Sequence, residues 1–513
     1  MVKFNMYGRG LRLRLAIMFT CQAAFILFGY NQSNFSGITN NADFLEVVHH
    51  PSTAVMGIMV SIYNLGCLAG TGVSFLTSDK LGFRRSMWLS MCVIIIGATV
   101  QTCSYSRAQF LVSRFVTGIG VGVMTTIVPV YQSELCDARR RGMYVCAQPL
   151  AVGVGITISY WFDYGMSYVD GPINWRLPLA CQMVFALIVI IQILGLPESP
   201  RWLCRQHRQQ EAVQVLCDFY DRPSDDPKVI HEAESIFRAI ETSQAEYKWS
   251  EIVKKDELHT GRRILLSYGL QFMNQMGGPG LIVTYVTTVL EDNVGLDAKL
   301  SLLLGGVIQL MFVLGAFYPI FFCDRLGRRS PMMWGSFGQF VCMLMISILL
   351  SFKGTTLEKS AATASVAFFF LFMLIYGATI NCIPWVYGPE LLPQHVRTKG
   401  QAIGISANWL WSFFVAMISP TLIRELAWKG YLIFTCFNLI FVPVSRDRGT
   451  YIPLPTAPSL LTDRFAFQIL YFYYPETANL SLEEIDSLFT DNKGPAVPED
   501  DKGFTWVEVK AVN

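Results

Sequence analysis

The strongest constraint on this chain is a series of apolar runs, each close to the length that crosses a bilayer. They fall near residues 13–29, 55–76, 87–103, 108–131, 143–161, 178–196, 264–290, 300–323, 331–352, 362–387 and 402–423. A twelfth, 431–443, is short for the task. A hydrocarbon core ~30 Å thick asks for ~20 helical residues. Twelve such spans would use about half of the 513 residues. Charged residues are 15% of the chain and mean hydropathy is +0.39, against ~25% charged in an ordinary soluble protein. That balance excludes a disordered chain or a disulfide scaffold and argues against a soluble domain. The expected fold class is an all-α membrane protein, with the basic N-terminus (Lys3, Arg9, Arg12, Arg14) leading into a first span and not a cleaved signal.

Other classes find little support. Net charge is +2, so nucleic acid is not an expected partner. The 13 cysteines are scattered, with no Cys-x-x-Cys, and read as small buried hydrophobes. No metal and no cofactor is expected. There is no P-loop, no His-x-x-x-His and no Gly-x-Ser-x-Gly, so an enzyme is not expected. His49 and His50 read as solvated surface. Asn31, Asn34 and Asn479 lie in glycosylation sequons, but the first two fall at or in a span and the third on the inner side, so none is expected to carry glycan.

Basic residues set the orientation. With the N-terminus in the cytosol, inner segments hold Lys80, Arg84 and Arg85, then Arg139 to Arg141, the stretch 201–263, then Arg325, Arg328, Arg329, Arg397 and Lys399. Outer loops hold scattered ones. Basic residues favour the cytoplasmic side, so both termini are expected there, and the expected location is the plasma membrane. The polar segment 201–262 divides the spans six and six. Its patterning (Ala212, Val215, Leu216, Phe219, then Ile230, Ile236, Phe237, Ile240) predicts short amphipathic helices on the cytoplasmic face. The acidic tail 491–513 is expected to be disordered.

Two motifs recur in the same order six spans apart. Asp79-Lys-Leu-Gly-Phe-Arg-Arg85 follows the second span and Asp324-Arg-Leu-Gly-Arg-Arg329 the eighth. Tyr131, Glu134 and Arg141 follow the fourth; Tyr387, Glu390 and Arg397 follow the tenth, each 256 positions on. The chain therefore reads as two homologous halves, 1–200 and 263–490, an architecture of secondary transporters. Acids and arginines at inner helix ends (Asp79, Arg84, Glu134, Arg141, Glu198, Arg201; Asp324, Arg328, Glu390, Arg397) are expected to form a cytoplasmic gate. Such pairs can latch one conformational state.

With these motifs the chain resembles the sugar porter family of the major facilitator superfamily, in its fungal branch. Further support comes from Arg114-x-x-x-Gly118-x-Gly120-x-Gly122, Pro129 to Glu134, Trp175-Arg-Leu-Pro178, Pro197-Glu-Ser-Pro-Arg201, Pro384-Trp-Val-Tyr387, and Pro475-Glu-Thr477 with Leu482-Glu-Glu484. The resemblance covers about residues 10–490 and implies a twelve-helix fold that carries a hexose, pentose or disaccharide by alternating access, as a monomer. Hydroxyls ask for amides, and the apolar face of a sugar ring asks for aromatics. By resemblance the substrate contacts are Asn274 and Gln275 in the seventh span, Asn408 and Trp409 in the eleventh, Phe28, Tyr285 and Gln309. The family's fifth-span glutamine falls on Pro149, with Gln148 beside it as a substitute. Its seventh-span asparagine falls on Gly280, and its tenth-span Trp-Gly on Ile380-Asn381. Symporters of the family pair a first-span aspartate with a fourth-span arginine. Arg114 is present, but the aspartate position is Asn31, which cannot titrate. The reading is facilitated diffusion. The alternatives are proton symport through another acid, such as Asp163 or Glu134, a non-transporting sensor, and a defective carrier.

The last span is interrupted. After Pro443 come Arg446, Asp447, Arg448, Pro453, Pro455, Pro458, Asp463 and Arg464, and a charge costs ~2.5–3.5 kcal/mol at a helix centre. Removing the 25 residues 444–468 joins Tyr431–Pro443 to Ile469–Tyr474, which together make 19 residues, about one crossing. The restored length, with Val444-Ser445 encodable as GTAAGT and Gln468 as CAG, marks the segment as a translated retained intron; the alternative is a genuine insertion looping out of a split helix.

Overall fold

The computed structural model describes residues 6–39, 41–136, 141–242, 259–393, 396–441, 474, 475, 477 and 489. Every regular element among the described residues is helical. The first half runs α1 (Leu11–Ser33), the short α2 (Ala42–Val47), α3 (Thr53–Leu81), α4 (Phe83–Thr102), α5 (Arg107–Glu134), α6 (Arg141–Met166) and α7 (Ile173–Leu194). Three linker helices follow, α8 (Pro200–Arg205), α9 (Gln209–Tyr220) and α10 (Pro227–Thr242). The second half runs α11 (Thr260–Met276), α12 (Pro279–Val289), α13 (Ala298–Leu326), α14 (Arg329–Ser351), α15 (Glu358–Ala378), α16 (Ile383–Leu391), α17 (Arg397–Thr421) and α18 (Trp428–Phe441). Ten stretches among the described residues, counting α15 with α16, are long and apolar enough to cross a membrane. The pair α11–α12 and the short α18 bring the crossings to twelve. Large apolar side chains such as Leu76, Ile96, Phe321 and Trp334 are more than half exposed, as a lipid-facing surface requires. The protein is a multi-pass membrane protein. The end bearing Arg84 and the linker is termed inner below.

The repeat read from the sequence is visible in the backbone. Gly82 joins α3 to α4 at φ +81°, and Gly327 joins α13 to α14 at φ +79°. A side chain would strain either turn. Within the first half, α3 and α5 touch backbone to backbone. A Cβ on Gly66 or Gly70 of α3 would stand 2.3 or 2.2 Å from the Phe115 or Ile119 carbonyl oxygen of α5. A Cβ on Gly118 or Gly122 of α5 would stand 2.3 or 2.0 Å from the Tyr63 or Cys67 oxygen of α3. Lipid offers no hydrophobic drive between helices, so close van der Waals packing of small residues does this work. Gly120, between the two, turns instead to Ser90 and Ile94 of α4.

Two spans that read as single runs are broken. The 264–290 run stops at Gly277, passes Gly278 at φ +94°, and restarts with Pro279 in the first turn of α12. The 362–387 run stops at Ala378 and restarts at Ile383, with Pro384 in the first turn of α16. Proline lacks the N–H that would continue the preceding turn and suits only a helix start. The linker face also differs in one detail. Ala212, Val215, Leu216 and Phe219 are buried as expected, but in α10 the buried face is Val229, Ala233 and Ile236, and Ile230 points outward. The side chain of Ile240, the insertion 444–468 and the tail 491–513 lie outside the described residues.

The halves meet along α3 with α17 and α6 with α13. We expect Gly122→Ala to push α5 off α3 and lower the melting temperature in detergent, at a cost of about 1–3 kcal/mol. Gly72→Ala, on the same α3 but with nothing within 4 Å of its Cβ, should leave stability unchanged or raised.

Candidate functional site

The break in α11–α12 fixes the first site residues. Breaking a helix inside a membrane frees carbonyls that need donors. Asn438 of α18 supplies one: its Nδ2 donates to the Gly277 oxygen at 3.0 Å and to Phe434 O at 3.0 Å. Held there, Gln275 lies in the last turn of α11 with its Nε2 donating to Asn408 Oδ1 of α17 at 2.6 Å. Asn274, its neighbour, turns aside and accepts from the Tyr376 hydroxyl of α15 at 3.1 Å. Trp409 follows Asn408 and lies edge-on to Phe28 of α1 (centroids 5.3 Å) and to Tyr63 of α3 (6.4 Å). Phe25 bridges Phe28 to Trp385, at 6.1 Å from each. Amides of the second half thus stand beside an aromatic cluster drawn from both halves. All are buried: Gln275 is 6%, Asn408 4% and Trp409 1% exposed.

Other expected contacts stand apart from the Gln275–Asn408 pair. Gln148 bonds Gln132 of α5 through its Nε2, and its Oε1 has no partner. Gln309 of α13 is fully buried with neither amide atom bonded, and it lies by Tyr160. The Tyr285 hydroxyl donates to Ala416 O of α17 at 2.9 Å and braces α12 against α17. Buried atoms with spare hydrogen-bonding capacity also include Asn381 Nδ2 at the α15–α16 break, Trp409 Nε1 and both ends of Gln339. Asn438, Gln132 and Gln339 escaped the sequence reading. Each is a lone polar residue in an apolar run, and that signal alone marks an interhelical contact as readily as a site.

The coupling position is rearranged relative to expectation. Arg114 Nη1 donates to Asn34 Oδ1 at 3.3 Å and Nη2 to Val60 O at 3.3 Å, while the guanidinium sits between the rings of Phe35 (5.0 Å) and Tyr63 (5.1 Å). The amide that meets it is Asn34 and not Asn31, whose Nδ2 is buried without a partner. The two asparagines are one helical turn apart, so spacing could not separate them.

At the inner end, acids meet helix ends more than arginines. Glu198 accepts from the backbone N–H of Phe83 at 2.9 Å and of Arg84 at 3.2 Å, capping α4. Burial pushes its carboxyl up, against the pull of these donors and of the Arg84 charge. Arg84 itself donates to Leu194 O at 2.9 Å. Glu134 accepts from Ser199 Oγ. Asp79 is exposed and offers its backbone oxygen to Trp202 Nε1 at 2.9 Å. Arg201 is half-buried, and Arg397 donates to Leu392 O at 3.3 Å. In the second half Arg328 pairs with Glu390 at 3.0 Å. Thr477 Oγ1 also donates to Glu390, at 2.8 Å. These described contacts stay inside one half. The side chains of Arg141 and Asp324 lie outside the described residues.

The halves repeat one further arrangement. Tyr131 donates to Pro197 O, and its counterpart Tyr387 donates to Pro475 O. Ser199 donates to Glu134, and Thr477 to Glu390. Both Pro-Glu-Ser/Thr segments dock on the same Tyr-x-x-Glu motif.

A family profile described as "Sugar (and other) transporter" matches residues 16–445. The chain belongs to the sugar transporter family. Members of this major facilitator group carry solutes and are not enzymes. Among curated relatives it is similar to the MFS-type transporter oryC of Aspergillus oryzae, 36% identical over 94% of this chain and 86% of the relative. It is 31% identical to the sugar transporter STL1 of Saccharomyces cerevisiae, over 94% of this chain and 82% of that protein. The low-affinity glucose transporter HXT1 of the same yeast is 26% identical over the same shares. In structure the sugar transporter fold matches the proton:xylose symporter XylE bound to 6-bromo-6-deoxy-D-glucose, with a TM-score of 0.76 over 93% of this chain and 99% of that one, at 20% identity.

The amide bridge gives a direct test. Removing either Gln275 or Asn408 leaves a buried group unpaired, at about 1–3 kcal/mol. We expect Gln275→Ala and Asn408→Ala each to lower the melting temperature. The double variant should lose less than the two losses combined, the mark of a coupled pair in a double-mutant cycle.

Proposed function

We propose that this sugar transporter moves a hexose, pentose or disaccharide by alternating access and facilitated diffusion. The reading rests on the buried amide pair Gln275–Asn408 beside the aromatic faces of Phe28 and Trp409, drawn from both halves. A buried amide array penalises a solute that cannot match its donors and acceptors. Asn274, Gln148, Gln309 and Tyr285 support the site, and Trp409 Nε1 has spare capacity toward a hydroxyl. The printed names of STL1 and HXT1, a sugar and a glucose transporter, point the same way. Uniport follows from the partners of Arg114. Its side-chain hydrogen-bond partner is an amide, which holds no exchangeable carboxyl proton. The carrier acts as a monomer in the plasma membrane, with both termini cytosolic.

In this reading the first half covers 1–200, the linker 201–262 and the second half 263–490, with 444–468 a translated retained intron. The repeated docking of the Pro-Glu-Ser/Thr segments supports that last point. From Ile173 to Pro197 the chain advances 24 positions, but from the equivalent Trp428 to Pro475 it advances 47. Taking out 25 leaves 22, close to the first half. The family profile match ends at 445, where the extra segment begins. Phe441 and Tyr474, on either side, belong to one apolar cluster with Leu266, Leu270 and Tyr387.

Proteoliposomes holding the chain without 444–468 should take up radiolabelled sugar until inside and outside concentrations match, with no sugar-linked alkalinisation of a weakly buffered medium. Gln275→Ala should cut uptake by about tenfold or more, the weight of one lost hydrogen bond in a dry site. Uptake of no sugar in a broad panel would overturn the reading, and sugar-linked proton entry would overturn uniport. Sequencing of the mature message should find the 75 nucleotides absent.

A further inference from the structure

A buried carboxyl near the far end of α6 is used by none of the above. Asp163 is 5% exposed, and neither oxygen completes a hydrogen bond. It faces the Gly37 backbone beyond the end of α1. A Cβ on Gly37 would stand 2.6 Å from Asp163 Cβ and 2.7 Å from Oδ2, so only glycine lets the two come this close. Tyr30 of α1 and Tyr160 of α6 face it. The Tyr30 hydroxyl donates away, to Pro178 O of α7 at 2.8 Å, with Cys181 of α7 beyond. Among the described residues no cation acts on Asp163; Lys299 of α13 lies over the Tyr168 ring at 4.5 Å, and Arg176 of α7 over Tyr105 and Trp175.

One turn away the two halves are stitched together. Ser36, the residue before Gly37, contacts the Tyr160 hydroxyl at 2.7 Å and Thr287 Oγ1 of α12 at 3.3 Å. Thr287 donates to Ser36 O at 3.2 Å, and Tyr160 to Val283 O at 2.7 Å. Ser36 and Tyr160 belong to the first half, Val283 and Thr287 to the second. These bonds close the outer end.

We propose that Asp163 is a proton-operated gating residue, which holds this outer seal shut while protonated and loosens it when ionised. An ionised carboxylate with only the Gly37 backbone N–H beside it is expensive in such a setting, and it lowers that cost by reaching water. The way to water is to lift the 34–39 turn off α6, and that turn carries Ser36 out of the seal. Distance decides between gating and proton carriage. Asp163 lies 22 residues beyond Arg141 on one helix, about 33 Å at 1.5 Å per residue, a full hydrocarbon thickness from the inner end. Its proton therefore comes from and returns to the outer solution, so the gate responds to external pH without net proton transport. The direction of this argument rests on the orientation proposed above.

The test reads the seal directly. In proteoliposomes without sugar, the exchange protection of residues 30–39, taken against the intrinsic amide rate at each pH, should fall about tenfold as external pH goes from about 5 to about 8. Asp163→Asn should stay protected throughout, and Asp163→Glu should keep a pH response. Gly37→Ala, which pushes on the Asp163 side chain, should raise uptake already at about pH 5. A wild-type pH response in Asp163→Asn, or no response in wild type, would sink the proposal. Sugar-linked proton entry that Asp163→Asn abolishes would also overturn it, by making Asp163 a coupling group. Because exchange is read without sugar, failure here is separate from failure to transport one.

Discussion

Backbone that leaves the helix inside a membrane must find its hydrogen bonds in neighbouring side chains, because the hydrocarbon offers none. The break at Gly277–Pro279 meets that demand through Asn438, which reaches across from α18 to the Gly277 oxygen. Much of the central site follows from this one contact. It fixes where α11 ends, and so where Gln275 meets Asn408 and where Asn274 meets Tyr376. The same demand shapes the inner face. There Glu198 serves the exposed N–H groups of α4, and Arg84 the last carbonyls of α7.

The architecture was legible because its causes are local and periodic. Apolar length gave the spans, and the 256-residue offset the repeat. The Tyr131–Pro197 and Tyr387–Pro475 contacts then show that the repeated residues do equivalent jobs. The amphipathic pattern placed α9 correctly. It misplaced Ile230 because two apolar faces compete in α10, and Val229, Ala233 and Ile236 won the burial.

The site was legible only in part. Resemblance located Gln275, Asn408, Trp409 and Phe28, which the fold brings together. It could not foresee that Arg114 meets Asn34 in place of Asn31, since both amides lie near one stripe of α1 and the choice depends on where Phe35 and Tyr63 hold the guanidinium. Nor could it foresee the helix breaks, because the Gly-Gly-Pro and Cys-Ile-Pro segments sit inside otherwise continuous apolar runs. An apolar run fixes a crossing but not its continuity. That takes the partner that satisfies the freed carbonyl, and Asn438 lies 161 residues away in sequence.

The glycine contacts between α3 and α5 have a mechanical consequence. Backbones pressed together through four glycines interlock like gear teeth and cannot slide past each other without first separating. The α3–α5 pair therefore behaves as one stiff block, and deformation is displaced to the looser contacts around it, the seam of α3 with α17 among them. Substitutions buried in the block should alter how much carrier survives, whereas substitutions in the seams should alter how fast each carrier turns.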